Sequence, residues 1–323
     1  DEILLDENLW TIDSGQGSYI NGNYEISNTY NAIQSNLSFY LSNEFSLSDK
    51  FKSILGLRAE NYNLYYTGQN QQGDIVYEDE NILSELDLFP SVNLIYSLRE
   101  MSNLRFSLSR TIARPSFKEK SIAQIFDPVT STTFIGNIDI LPTKILNYDL
   151  RWELFQENAQ MYAISLFYKD FTNPIELVVY NGASPNDYTP KNVDEAKVYG
   201  IELEFRKNLE FISESLSNFK LTFNTSIIRS EEIMDEKEYE GRTKSARSRE
   251  VVSRKRELQG QSPYLINLGL NYNSINNNLE GSLNYNVQGK TLQIVGVNYV
   301  PDIFTEPFNS LNLNFNYKFG RTD

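Results

Sequence analysis

If this chain did acid–base or metal chemistry, carboxylates would have to carry it. His and Cys are both absent from its 323 residues, which removes the Ser-His-Asp and Cys-His arrangements of nucleophilic catalysis. It also removes imidazole and thiolate metal sites and any disulfide framework. What remains is acidic: 43 Asp and Glu stand against 29 Lys and Arg, for a net charge of -14. Pairs of carboxylates are common, yet no spacing marks one pair as an acid–base couple. Neither a nucleophile elbow nor a phosphate-cradling glycine pattern is present. The chain therefore reads as a non-enzyme with no cofactor. A pI near 4.7 argues against a nucleic-acid partner.

Three clusters could still bind something. Asp74, Glu78, Asp79, Glu80, Glu85 and Asp87 offer oxygen ligands suited to calcium, but without the glycine and ligand spacing of an EF-hand loop. Charge in a solvated loop is their plainer meaning. Between Glu231 and Arg256, six acids up to Glu240 are followed by seven bases from Arg242. Taken alone, the basic half resembles a nucleic-acid or localisation patch. With the acidic half beside it, the segment reads as a solvated hairpin loop whose charges pair locally, or as a contact for lipopolysaccharide phosphates. The third cluster is the irregular stretch from Ser116 to Thr143, which carries Phe117, Phe126 and Phe134 and is too long to be an idle connection. Pro115 and Pro142 bracket it, and each ends ladder pairing.

The elements that hold these clusters announce themselves by alternation. From Leu311 the sequence runs Leu, Asn, Leu, Asn, Phe, Asn, Tyr, Lys, Phe, a strand with one apolar and one polar face. Phe219, Leu221, Phe223 and Ile227 oppose Lys220, Thr222, Asn224 and Ser226 in the same way. Leu146, Tyr148, Leu150, Trp152 and Leu154 oppose Asn147, Asp149, Arg151 and Glu153. About eleven such strands follow one another, joined alternately by short and long connections, as in an up-and-down barrel with its long loops at one end. Several exceed the about nine to eleven residues that a tilted strand needs to cross a bilayer. With 13% aromatic residues, 21 of them Tyr and 19 Phe, the composition suits barrel girdles. The expected fold is all-β: a transmembrane antiparallel up-and-down β-barrel with lipid outside and water inside. No apolar run reaches the about 18 residues of a spanning helix. The opening DEILLDENLW has neither the basic nor the apolar region of a signal peptide. A soluble β-sandwich, binding sugars through its aromatics, is the alternative that the alternation leaves open.

The stretches SLSRTIARPSF, FIGNIDILPTKILNYDLRWELF and SLFYKDFTNPIE make the chain resemble the barrel of TonB-dependent outer-membrane receptors of Gram-negative bacteria. The shared elements are Arg114-Pro115, Gly136-Asn137, Leu141-Pro142, Asn147-Tyr148-Asp149 and VYGIELEF from Val198 to Phe205. Ile138 stands where the family often has Pro. The resemblance is specific over 107–205 and diffuse elsewhere.

The resemblance implies import of a scarce nutrient across the cell outer membrane, with energy supplied through TonB. It further implies that residues 1–323 are part of a barrel of about 22 strands, with an N-terminal plug, a TonB-contacting segment and final strands beyond the YKFG element at Tyr317–Gly320. Partners would be the TonB complex, outer-membrane lipid and lipopolysaccharide, and a small nutrient or a substrate-capturing lipoprotein. In that frame the 116–143 stretch folds over the extracellular mouth and holds substrate, or packs on neighbouring loops to close the top. The ligand-binding candidates of mouth and lumen are Arg110, Arg114, Phe117, Phe126, Phe134, Asn137, Tyr148 and Arg151. Arg110 and Arg114 are expected to face the lumen and pair with Asp149 or Glu153. A plugless barrel acting as porin, scaffold or adhesin is the competing function.

Overall fold

The computed structural model describes residues 29–180, 186–274 and 278–319. The opening DEILLDENLW and Gly320 of the YKFG element lie outside them. Its strands, in chain order, are β1 (Tyr30–Ser48), β2 (Phe51–Gln69), β3 (Val76–Arg99), β4 (Ser102–Ala113), β5 (Gln124–Asp127) and β6 (Thr132–Ile135). Then follow β7 (Thr143–Gln156), β8 (Gln160–Thr172), β9 (Ile175–Val179), β10 (Tyr188–Asn192), β11 (Glu195–Asn208) and β12 (Phe219–Ile233). After the helix α1 (Glu236–Ser245) come β13 (Lys255–Arg256), β14 (Tyr264–Asn273), β15 (Leu279–Gln288), β16 (Thr291–Ile294), β17 (Ile303–Thr305) and β18 (Phe308–Tyr317).

One 12-stranded sheet dominates, with the order β1-β2-β3-β4-β7-β8-β11-β12-β14-β15-β18 and β13 beside β12. Every pairing in it is antiparallel. This is the expected meander. The tight connections at 49–50, 100–101 and 157–159 fall at one end, with the longer 209–218 link beside them, and the longest connections fall at the other. Asn158 and Ala159 both adopt positive φ, 58° and 55°, the left-handed backbone that lets a short hairpin turn follow the twist of its strands. Pro115 and Pro142 bound the mouth loop as expected, since β4 stops at Ala113 and β7 starts at Thr143.

Register fixes which residues share a face. Asn147 pairs with Ser109 and Lys169, and Asn224 pairs with Glu204 and Asn267. Asn267 in turn pairs with Asn286, and Asn284 with Asn312. These make a continuous polar face. The intervening positions give a continuous apolar face whose members lie open: Leu37 is 74% exposed, Leu313 63% and Phe315 66%. Among the described residues no second sheet covers that face, so the sandwich alternative falls. The apolar face is the one a bilayer covers, and the polar face lines the lumen. Tyr148, Tyr168 and Tyr199 stack in a row on the outer face at one level. At the opposite end, Tyr162 packs on Phe205 and Phe219 on Tyr272. Two aromatic bands are what a bilayer-crossing barrel carries at its interfaces.

The long polar segment expected after Tyr66 is mostly strand. β2 and β3 run on to Gln69 and from Val76 because Tyr62, Leu64, Tyr66 and Leu83 continue the inward alternation and are buried there.

A candidate ligand mouth above a polar lumen

The lumen face of the wall carries a ladder of ion pairs. Arg58 meets Glu60 at 2.6 Å, and Glu60 meets Arg114 at 2.8 Å. Further along, Arg105 reaches Glu153 at 2.5 Å, Arg151 bridges Glu153 and Glu204 at 3.3 and 3.0 Å, and Arg206 closes on Glu204 at 2.7 Å. Glu60 and Glu153 are buried against the wall, where an unpaired charge is costly, and alternation across neighbouring strands supplies partners. The face of β14, β15 and β18 is different, built from Asn and Ser. Asn267 donates to Asn224 at 2.6 Å and accepts from Asn286. A cavity of about 630 Å³ between Glu204, Lys220, Asn271 and Asn314 opens on that side.

Above the wall the long connections fold into a second layer. Strands β5, β6, β10 and β9 form a 4-stranded sheet, and β16 pairs with β17. Parallel bridging of Val178 to Val295 ties the two together. The mouth loop enters this layer from the lumen side of the wall. Arg114 is held by Glu60 and Asp87, at 2.8 and 3.3 Å, and Ile122 N–H donates to the Tyr66 hydroxyl at 3.2 Å. Glu60, Asp87 and Tyr66 all project inward, so the loop turns across the mouth and not away from it. Lys120 is buried and its Nζ donates to the carbonyls of Ile138 and Ile140, at 2.5 and 3.0 Å, stapling the two limbs of the loop. Burial pulls the Lys120 ammonium below the ordinary lysine pKa.

The sequence-derived candidates separate on this geometry. Arg151 lines the lumen, already engaged by Glu153, Glu204 and Ser165. Arg114 faces inward, but its partners are Glu60 and Asp87 in place of the expected Asp149 or Glu153, because the chain leaves β4 toward β2 and β3. Arg110 does not face the lumen. It shares the outer face with Leu108 and pairs across to Leu146, as its even position in β4 requires. Tyr148 likewise lies outside, in the aromatic row. Phe134 is buried, 5.7 Å from the Tyr188 ring and beneath Lys118. Asn137 donates to the Pro190 carbonyl at 3.1 Å, joining mouth loop to β10. Phe117 and Phe126 are exposed, the latter at 60%.

The acidic stretch Asp74–Asp87 is only in part a solvated loop: Asp74 lies in the exposed turn before β3, and Glu78, Asp79 and Glu80 are exposed but belong to the strand. Its later members lie along β3, where Asp87 pairs with Arg114 and Glu85 with Lys144. Among the described residues no group of acids is placed to hold a metal ion. The charged 231–256 segment is also more ordered than expected. It contains α1, capped by Asp235 accepting from Glu238 N–H at 2.7 Å. Lys244, Arg254 and Lys255 pair with Glu240, Glu236 and Glu231, the local pairing expected of this segment. Arg256, the last base of that segment, has a part that its place in a charged run does not suggest. Its guanidinium is buried among Glu176, Glu232 and Glu238, and only the pairing of distant segments brings those acids together.

A meandering sheet with an apolar exterior, aromatic bands, a polar lumen and an inward-folded mouth loop defines a transmembrane β-barrel wall. A family model for the TonB dependent receptor-like β-barrel matches residues 4–322. The chain belongs to that family of outer-membrane transport receptors.

Solved structures with the same fold include the copper transporter OprC, with 16% identity and a TM-score of 0.65. The match covers 90% of this chain and 41% of that one. The ferric citrate transporter FecA gives 14% identity and a TM-score of 0.60, covering 90% and 39%. The ferric-catecholate import receptor Fiu from K12 E. coli gives 14% and 0.59, also covering 90% and 39%. The chain thus spans about two fifths of the length of these structures. No curated protein sequence matches it.

Proposed function

We propose that this chain forms wall and mouth of a receptor that imports a scarce nutrient across the outer membrane, driven by TonB acting on a plug within the lumen. The observation that carries the reading is the inward anchoring of the mouth loop at Arg114 and Ile122, over a polar lumen, in a barrel of this family. A loop held there meets solute before it meets the lumen. Phe117 and Phe126 would supply apolar contact, while Arg151 acts through the ion-paired wall and Phe134 and Asn137 through loop structure. The nutrient would be delivered free or by a surface lipoprotein. The relatives named above handle copper, ferric citrate and ferric catecholates. This chain's own ligand is to be found by screening, and no cofactor is needed for the part it plays.

The test is accumulation of labelled candidate nutrients by cells that express the full-length protein, with the inner-membrane proton gradient intact or collapsed. Uptake that saturates and stops on collapse is the expected result. Uptake that persists without the gradient would make the protein a passive porin, and binding without uptake would make it a scaffold or adhesin.

A further inference from the structure

The long loops converge on one buried guanidinium. Arg256 on β13 donates through Nη1 and Nη2 to Glu176 of β9 at 3.0 and 2.6 Å. Nη2 also donates to Oε1 of Glu232 on β12 at 2.8 Å, and Nε to Glu238 of α1 at 2.8 Å. The Glu176 and Glu232 side chains are fully shielded, and Arg256 nearly so. Gln259 adds a backbone N–H to Glu176 at 2.9 Å. It also joins Leu177 to Gln293 of β16. The hub therefore holds β9, β12, β13, α1 and β16 together.

The charges do not balance. Arg242, the other cation facing the hub, is 3.0 Å from Glu238 but is taken by both oxygens of Asp302, at 2.8 and 2.9 Å. Lys255 and Glu231 pair with each other on the opposite face, and Lys290 serves Glu306. Glu257, next to Arg256, adds a further carboxyl, itself raised by burial and by Asp302. Glu176, Glu232, Glu238 and Asp302 thus face Arg256 and Arg242, two acids in excess even before Glu257 is counted, and Glu176 and Glu232 are shut off from solvent. Two neighbouring carboxyls there cannot both ionise without a large cost. Geometry indicates which one gives way. Glu176 receives both arms of the guanidinium. Oε2 of Glu232 lies 2.8 Å from Arg256 Nη1 but accepts no hydrogen bond.

We infer that Glu232 carries a proton at neutral pH, and that this proton lets one arginine clasp the extracellular loops into a single cap. Burial and the Glu176 charge agree, pushing the Glu232 carboxyl up to about 9. The site lies outside the bilayer, because the apolar outer face of β12 ends at Ile227 and gives way to Arg229 and Glu231. A folded-state pKa raised above that of the unfolded chain means stability present at low pH and lost as pH rises through about 9.

The experiment is infrared spectroscopy of the full-length protein in detergent micelles, wild type against Glu232→Gln. At neutral pH the difference spectrum should show loss of a protonated-carboxyl band. In the wild type that band should disappear as pH passes about 9. A difference in carboxylate bands alone would overturn the inference. Limited proteolysis after the exposed Arg247 and Arg249 gives the second readout: Glu232→Gln should resist as the wild type does, while Arg256→Gln should be cut several-fold faster. Equal opening of the two variants would also overturn it. Should Glu232→Gln fail to assemble, the wild-type titration decides alone, and absence of a protonated band refutes the proposal.

Discussion

The guanidinium of Arg114 lies 4.4 Å from the centre of the Tyr62 ring, with Glu60 and Asp87 at its edge. Glu60 and Asp87 are direct partners across β2 and β3, so two like charges face each other unless a cation sits between them. Arg114 is that cation, and it also follows β4 directly and leads into the mouth loop. Arg114→Ala should cost about 3–5 kcal/mol, the range for breaking a buried pair, and should expose the loop to protease. Arg114→Lys keeps the charge but not the fork that spans two carboxylates, and should recover only part of the melting temperature.

Gly136→Ala is expected to displace the same loop without touching the wall. A Cβ there would strike the Ser121 carbonyl oxygen and come within 2.6 Å of its Oγ and 2.9 Å of the Lys118 carbonyl. The glycine of the Gly-Asn pair is thus needed for close approach of backbone to backbone. Heat stability of the folded barrel on gels should persist, while proteolysis within 116–143 accelerates.

The two faces of β12 should respond oppositely to one charge. Phe223→Lys places an ammonium in the lipid face, costing about 2–4 kcal/mol near the bilayer centre, and should lower the amount assembled in the outer membrane. Asn224→Lys, one residue on, points into water and should assemble normally. Equal losses would mean the faces are assigned wrongly.

On the role proposed for it, Phe126→Ala should weaken ligand binding without altering melting, since its ring is largely exposed. Phe134→Ala should do the reverse. It removes a buried ring, at about 3–5 kcal/mol, and would reduce binding only through loss of loop order. Affinity and melting curves, measured together, separate the two roles.

Acid should loosen the cap by a different route from alkali. Burial alone would raise the Asp302 carboxyl, but hydrogen bonds from Arg242 and the Gly296 N–H outweigh it and hold it below the usual carboxylate range. Asp235 is lowered against burial by Lys191 and the helix N-cap. Stability from lowered carboxyls is present above their unfolded pKa and lost as pH falls through the folded one. Hydrogen exchange of α1 should thus quicken below about pH 4, and Asp235→Ala should cost about 0.5–1 kcal/mol as an exposed cap.

Alternation made the barrel legible. The parity of Leu311, Leu313 and Phe315 against the intervening asparagines is local, and a strand cannot satisfy it with the faces exchanged. Parity also contained the answers for Arg110 and Tyr148, since both sit at even positions beside Leu108, Leu146 and Leu150. Choosing them for their chemistry set that rule aside. Arg151 and Asn147 obey it and line the lumen. The loops were not legible in this way. Phe134 meets Tyr188, Asn137 meets Pro190 and Arg256 meets Glu176 through pairings of residues far apart in the chain, and no local period encodes such contacts. The long stretch around Glu78 misled for the opposite reason, its polar outer positions masking the inward run of Tyr62, Leu64 and Tyr66 on the partner strand.

The bridge between Val178 and Val295 has a consequence for how the molecule is made. Val295 accepts from Val179 and donates to Leu177, so the β9 segment cannot complete its hydrogen bonds until β14 and β15 have been laid down. Contacts of such separation form late, because the intervening chain must first be closed into place. The wall can grow hairpin by hairpin, each strand beside its predecessor, while the loop layer waits for the far end of the sequence. Slowing the arrival of β16 should therefore yield a species whose strands are paired and whose mouth is still open.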